Sequence, residues 1–128
     1  MKYYISKKIN TDFDQAVQLV IESLKKEGFG VLTEINIQEK LKEKLNVDFR
    51  KYRILGACNP AYAYKALQME DKVGTMLPCS VIVQELGNNE IEVAAVDPIA
   101  SMMAIESPDL EGIAGEIKEK LVRVIASL

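Results

Sequence analysis

Histidine and tryptophan are both absent from this chain of 128 residues. Without histidine, the chain cannot build a Ser-His-Asp or Cys-His catalytic group from its own residues, nor a zinc site with histidine ligands. Only five tyrosines and three phenylalanines supply aromatic rings, which gives little support to a stacking platform for single-stranded nucleic acid. These absences exclude the common histidine-dependent classes of enzyme and metalloprotein.

The chain also lacks a strong charge bias and a long apolar segment. Sixteen basic residues against nineteen acidic ones give a net charge of −3, which argues against a general nucleic-acid binder. The longest uncharged stretch, Val73–Gln84, has twelve residues and contains Pro78, whereas a membrane-spanning helix needs about 20. The amino terminus has no apolar signal core. We therefore predict a cytoplasmic protein with no nucleic-acid or membrane partner, whose two cysteines stay reduced.

Hydrophobic periodicity predicts a single α+β domain over residues 1–128, in the order β-α-β-α-β-α-β-β-α. Gly87–Glu90 marks a hairpin between the last two strands, so part of the sheet is antiparallel. The predicted strands cover Lys2–Ile9, Gly30–Ile37, Lys51–Cys58, Cys79–Leu86 and Ile91–Val96. The predicted helices run from a Thr11 cap to Gly28, over Glu39–Leu45, over Pro60–Met69, and from a Ser107 cap to the end of the chain.

Two of these helices are long and apolar on one side only, which indicates a sheet with one covered face and one partly open face. An open face that carries apolar side chains needs a partner. A second copy of the chain is the simplest partner, so we predict a homodimer.

Cys58 is the first candidate site residue, because Asn59 is a favoured helix N-cap and Pro60 suits the first helical position. A thiol beside a helix start has its pKa lowered, which favours the reactive thiolate. The alternative is that Cys58 is a small apolar residue packed at a strand end.

Cys79 begins a strand after Pro78, so both cysteines lie at strand ends beside a proline. If those ends lie side by side, the two thiols can form a switchable disulfide or supply two ligands to a soft metal ion. Glu34, Asp97 or a dimer partner would have to complete such a metal site. The alternative is that both cysteines are packing residues.

Two carboxylates are further candidates. Glu34 lies in a strand rich in β-branched residues, and it either faces solvent or lines a pocket on the open sheet face. Asp97 precedes Pro98, where aspartate most often bonds the following backbone in a turn. An enzyme with Cys58 as nucleophile and Glu34 or Asp97 as proton acceptor stays open, although no spacing joins these residues into a triad.

Three segments, Ile54–Pro60, Leu77–Cys79 and Val96–Pro98, together resemble the family called domain of unknown function 302. The resemblance spans nearly the whole chain. It implies a β-α-β(4)-α fold with a mostly antiparallel sheet, covered on one face by helices, in a topology similar to the TATA-box-binding-protein-like group. It further implies a common dimeric state and a spatial cluster of Cys58, Asn59, Pro60, Pro78, Cys79, Asp97 and Pro98.

Two functional hypotheses follow from the sequence. The first is a non-enzymatic binding or sensing domain, in which Cys58, Asn59, Cys79, Glu34 and Asp97 surround a pocket for a soft metal ion or a thiol-reactive small molecule. The second is a structural or interaction module that forms a homodimer and performs no small-molecule chemistry. No cofactor follows from either hypothesis.

Overall fold

A computed structural model describes residues 2–128, and Met1, the first residue of the predicted domain, lies outside the described part. Five strands and four helices follow one another in the predicted order, with two short additions, a fifth α-helix and a 3₁₀ helix. The strands are β1 (Tyr4–Asn10), β2 (Gly30–Asn36), β3 (Tyr52–Cys58), β4 (Cys79–Gly87) and β5 (Glu90–Val96). The helices are α1 (Phe13–Lys26), α2 (Ile37–Leu45), α3 (Pro60–Met69), α4 (Pro98–Ser101) and α5 (Pro108–Ala126).

The five strands form one sheet in the order β1-β5-β4-β3-β2, and every neighbouring pair is antiparallel. The predicted hairpin joins β4 and β5, and Asn89 in its turn has a φ of 55°. Asparagine tolerates this left-handed conformation better than most residues. The predicted α+β class with a mostly antiparallel sheet is therefore confirmed.

Helices α1 and α5 cover one face of the sheet, because each carries an apolar stripe at helical spacing. Their inward side chains meet the alternate residues of β3, β4 and β5 that point the same way, and together these residues form the main core. The buried contributors to this core from the two helices are Phe13, Ala16, Val17, Val20, Leu24, Ile113, Ile117, Leu121, Val124 and Ile125.

The ends of α1 differ in part from the prediction. Asp12, rather than Thr11, is the N-cap, and its Oδ1 accepts a hydrogen bond from the Gln15 amide at 2.8 Å. Thr11 instead donates its hydroxyl to the Gln15 side chain. Gly28 ends the helix with a φ of +86°, as the sequence predicts, because glycine adopts this conformation without a steric penalty.

Two short elements were not predicted from the sequence. A 3₁₀ helix, Asp71–Met76, follows α3, and α4 is a single turn after β5. Both pack around a second, smaller core between α3 and α5. Neither element is long enough to show a helical repeat of apolar residues, so periodicity could not reveal them.

Candidate functional site on the uncovered sheet face

The prediction that the two cysteines lie together is wrong: they are free and are not near each other. In the pairing of β3 with β4, the residue opposite Cys79 is Ala57. Directly opposed residues point to the same face of a sheet, and successive residues point to opposite faces. Cys79 therefore points into the helix-covered core, where it is 4% exposed, while Cys58 lies one position past the residue opposite it and is half-buried at the strand end.

A metal site on these thiols is not supported either. Both cysteines border a cavity of only about 10 Å³, which barely admits one water molecule. Within residues 2–128, no group of three or more His, Cys, Asp or Glu side chains could hold a metal ion. Glu34 and Asp97 therefore do not complete a coordination set with either sulfur.

Burial opposes the thiolate that the sequence predicts at Cys58. Burial raises the pKa of the half-buried Cys58 thiol above its usual value. Burial raises the pKa of the Cys79 thiol to about 11. Electrostatic repulsion from a thiolate at Cys58 adds a smaller increase in the same direction. At neutral pH both residues are thiols, and thiols are poor nucleophiles and poor metal ligands.

We expect a chromogenic disulfide at pH 7 to modify Cys58 more slowly than free cysteine, because a raised pKa leaves less thiolate. Cys79 should react only when the chain unfolds. The variant Cys58→Ala isolates Cys79 and should show no reaction until denaturant is added. A native-state reaction of Cys79 at the rate of free cysteine would contradict this account.

Asn59 stabilises a turn rather than a ligand site. Helix α3 begins after it, as predicted, but its side chain makes no capping hydrogen bond. Its Nδ2 instead donates to the Glu27 carbonyl at 3.4 Å and lies close to Gly28. The amide therefore fastens the turn between α1 and β2 to the end of β3.

Glu34 lies on the helix-covered side of the sheet, so of the two alternatives the pocket on the open face does not describe it and the exposed carboxylate does. A bulge between Val31 and Thr33 interrupts the alternation of β2, and Glu34 then pairs with the buried Leu55. Its Oε1 accepts a hydrogen bond from Arg53 Nη1 at 2.8 Å. The carboxylate is 43% exposed at this edge strand, so it is an ion-pair partner near solvent.

Asp97 joins three elements at one end of the sheet. Its Oδ1 accepts hydrogen bonds from the amides of Ile99 and Ala100, which caps α4. Its Oδ2 lies 2.9 Å from Lys118 Nζ on α5. Its own amide donates to the Tyr3 carbonyl at 2.8 Å. At 8% exposure, with every interaction directed at the fold, Asp97 is a structural residue.

The charge of Asp97 makes stability depend on pH. Burial opposes ionisation, but the Lys118 ammonium and the two amide donors outweigh it and lower the pKa of Asp97 below 3.8. The carboxylate therefore stabilises the fold above the unfolded-state pKa, and this contribution is lost as pH falls through the folded-state pKa. We expect Asp97→Ala to cost about 1 to 2 kcal/mol at pH 7.

Urea denaturation between pH 7 and pH 2 measures this contribution. Asp97→Asn keeps an oxygen that can cap α4 but has no charge, so its deficit relative to the natural chain should shrink as the pH falls. A deficit that stays constant over this range would exclude a role for the Asp97 charge.

The uncovered face of the sheet is a feature for which the predicted site residues give no account. Its centre is a trough of about 400 Å³, floored by small and aliphatic side chains with tyrosines toward its ends. No helix contributes to its lining, which consists of Tyr3, Tyr4, Tyr52, Ser80, Ile82, Gln84, Glu92, Ala94, Ala95 and Val96.

Strand register arranges this face in three rows that cross β1, β5, β4 and β3. One row is polar and consists of Lys8, Glu92, Gln84 and Tyr52. The middle row is Ser6, Ala94, Ile82 and Ile54. The third row has Tyr4 and Val96 on one side and Ser80 and Gly56 on the other. The large rings of Tyr4 and Tyr52 therefore occupy opposite corners of the face.

Hydrogen bonds order the polar row. Arg50 Nε donates to Gln84 Oε1 at 2.9 Å, and Gln84 Nε2 donates to Glu92 Oε1 at 2.8 Å. The Arg50 guanidinium also lies 5.7 Å from the centre of the Tyr52 ring. The row therefore presents a fixed cation, amide and carboxylate beside an apolar floor.

The sequence contains a signal for this face that the motif-based reasoning passed over. In β4 and β5, the residues that alternate with the buried ones include Ile82, Ala94 and Val96. A strand side that faces water is usually polar. Apolar residues on both sides of neighbouring strands indicate a face that needs a cover.

The comparisons with known proteins agree with this fold. The family described as "Domain of unknown function DUF302" matches residues 5–128. A solved structure described as "uncharacterized conserved protein DUF302 from Bacillus stearothermophilus" is similar, with a TM-score of 0.90 and 31% sequence identity over 98% of each chain. No curated protein matches the chain. None of the helices in residues 2–128 combines the length and apolarity of a bilayer span. The chain belongs to the domain of unknown function 302 family.

Proposed function

We propose that the chain is a non-enzymatic interaction domain whose working surface is the uncovered sheet face, and that a second copy occupies it. The observation that carries this proposal is the trough, which leaves aliphatic side chains of the central strands without a cover. In a monomer, solvent would meet both this apolar floor and the ordered polar row. Sheet-on-sheet packing is a common solution for two such faces.

The arrangement of large and small side chains supports a second copy rather than an unrelated protein. A half-turn about an axis parallel to the strands, between β5 and β4, brings each row over the same row of the partner in reverse order. Ile82 then meets Ala94 of the partner subunit, and Ile54 meets Ser6 of the partner subunit. Large residues therefore face small ones, which is the self-complementarity that a twofold interface requires.

The polar row matches itself under the same half-turn. Gln84 meets Glu92 of the partner subunit, so an amide donor faces a carboxylate. Tyr52 meets Lys8 of the partner subunit, so an aromatic ring faces a cation. Sheets stacked in this way cross at about 30°, so the match is closest near the axis.

The size of the overlap suits a weak contact. Four strands overlap under this half-turn, because β2 lies beyond β3 and meets no strand of the partner. Strands spaced at about 4.8 Å, each of at least seven residues rising about 3.3 Å, then give roughly 440 Å² per copy. Two copies would bury roughly 900 Å², which is below the usual size of a stable interface and within the range of transient ones. We therefore expect a weak, reversible dimer.

Sedimentation equilibrium over a range of chain concentrations tests the proposal. At concentrations up to about 100 μM we expect a mass that rises toward twice 14.3 kDa and that falls to the single-chain mass on dilution. A single-chain mass at every concentration up to about 100 μM would overturn it, because a K_d above that value corresponds to less than about 5.5 kcal/mol.

A small molecule in the trough is the second candidate, since about 400 Å³ lies within the usual range for ligand pockets. It would bring an apolar body to the floor and a donor group to Glu92. This candidate predicts a single-chain mass together with a rise in Tm on adding the ligand.

The cytoplasmic location stays a prediction. The two free thiols are compatible with it, because the cytosol keeps cysteines reduced.

A further inference from the structure

A groove at the other side of the molecule, between α4 and the start of α5, has the chemistry of a helix-binding site. It has a volume of about 390 Å³, and its apolar lining includes Met102, Met103 and Leu110. Met103 is 63% exposed. Methionine-lined surfaces adapt to the shape of apolar partners. The groove lies in the helical layer and shares no lining residue with the trough.

The rim of this groove is acidic. Glu106 and Glu111 line it, and no lysine or arginine does. Both glutamates are exposed and neither takes part in an ion pair among residues 2–128. An apolar floor with free carboxylates at its edge suits a helix that has an apolar stripe and basic flanks.

Helix α2 has these properties, and none of its own residues is buried. Ile37, Leu41 and Leu45 recur every four residues and therefore form one stripe, and Leu45 is 65% exposed. At 100° per residue, Lys40 and Lys44 flank this stripe on one side and Lys42 on the other, while Glu39 and Glu43 lie on the back of the helix. Three lysines thus border the apolar stripe.

We propose that α2 of one copy docks into the α4–α5 groove of another copy. The apolar stripe of α2 would cover Met103 and its neighbours, and its lysines would approach Glu106 and Glu111. The ion pairs that α2 makes within its own chain are exposed, with Lys40 Nζ 3.6 Å from Glu43 and Lys42 Nζ 3.1 Å from Asp48. Such pairs are weak enough to exchange for new partners.

This contact joins two different surfaces, so it is heterologous, unlike the twofold contact on the sheet face. It goes beyond the proposed function and does not depend on it. Copies joined in this way would form chains or closed rings, with an assembly that weakens as salt screens the lysine–glutamate attraction.

A charge-swap series in the full-length chain tests the contact. All variants carry Ile82→Lys, which removes the sheet-face contact if that contact exists and is otherwise neutral for this experiment. One variant adds Lys40→Glu and Lys44→Glu, a second adds Glu106→Lys and Glu111→Lys, and a third combines all four. Sedimentation velocity measures self-association, and circular dichroism confirms that each variant keeps its helices.

We expect the Ile82→Lys parent to self-associate and each of the two charge-reversed variants to associate about tenfold more weakly. The variant that combines all four charge reversals should regain the self-association of the parent. Raising NaCl from about 0.05 M to about 0.5 M should weaken the parent as well. A parent that remains a single chain at about 1 mM would overturn the proposal. A variant with all four charge reversals that associates no more tightly than the two charge-reversed variants it combines would overturn it as well. Neither result would bear on the sheet-face dimer, which is measured without Ile82→Lys.

Discussion

Replacing Ile82 by lysine is expected to leave the chain folded but to abolish the dimer formed through the uncovered sheet face. Ile82 is half-buried in the middle row of the trough, where a lysine in the single chain can extend its ammonium into water. In the proposed dimer the same ammonium would be buried against Ala94 of the partner subunit. Burying an unpaired charge costs several kcal/mol, so we expect the K_d to rise by about a thousandfold or more.

Leu19→Lys is the matched control for this change. Leu19 is a 39% exposed residue of α1, on the helical layer and away from the trough. This substitution adds one positive charge and gives the chain the same net charge as Ile82→Lys, but it should leave the dimer intact. If Ile82→Lys keeps the mass of the natural chain, or if Leu19→Lys dissociates it equally well, the uncovered face is not the interface.

Gly56→Ala is expected to cost about 2 to 3 kcal/mol of folding free energy. Gly56 lies where β3 passes between the bulge of β2 and the start of β4, and a Cβ there would collide with the Thr33 hydroxyl and lie 2.8 Å from Pro78 Cγ. The hydroxyl can rotate away, but the proline ring can move only with the backbone. The cost is therefore steric overlap.

Gly112→Ala provides the control, because a Cβ at this position of α5 meets nothing within 4 Å. Alanine is the better residue inside a helix, so this change should stabilise the chain by about 0.5 to 1 kcal/mol. Urea denaturation of both variants in the Ile82→Lys background keeps the sheet-face dimer out of the comparison. A stability loss for Gly56→Ala below about 0.5 kcal/mol would show that β2 and β4 yield easily at this point.

Local signals in the sequence were sufficient for most of the fold. The period-3.6 stripes of α1 and α5, the glycine-containing turn of the hairpin, and the Asn59–Pro60 start of α3 each act within a few residues. The strand boundaries and α3 accordingly lie within about two residues of the prediction. The cap of α1 moved from Thr11 to Asp12 because two adjacent residues can both cap a helix.

The predicted cysteine site failed because it depended on register, which is not a local property. The sequence indicates that Cys58 ends one strand and Cys79 begins another. The pairing of Ala57, and not Cys58, with Cys79 puts the two thiols out of register, and a shift by one residue would place them opposite each other. The bulge in β2 likewise changed the register at Glu34, which it turned toward the helical layer.

The uncovered face was predictable as a feature but not as a shape. Two one-sided helices indicate that one side of a sheet lacks a cover. The diagonal placement of Tyr4 and Tyr52 across the trough depends on the order of four strands and on three separate registers. This strand order and these registers form only when the chain folds, so no local pattern in the sequence predicts where the two rings lie.

Hydroxyl-radical labelling of the five tyrosines tests most directly whether this face is the covered one. The two tyrosines of the rows, Tyr4 and Tyr52, belong to the trough, while Tyr62 and Tyr64 lie on α3 and serve as controls in the same sample. We predict that raising the chain concentration protects Tyr4 and Tyr52 and leaves Tyr62 and Tyr64 unchanged. Equal labelling of all four tyrosines at every concentration, or protection confined to the α3 pair, would contradict the account.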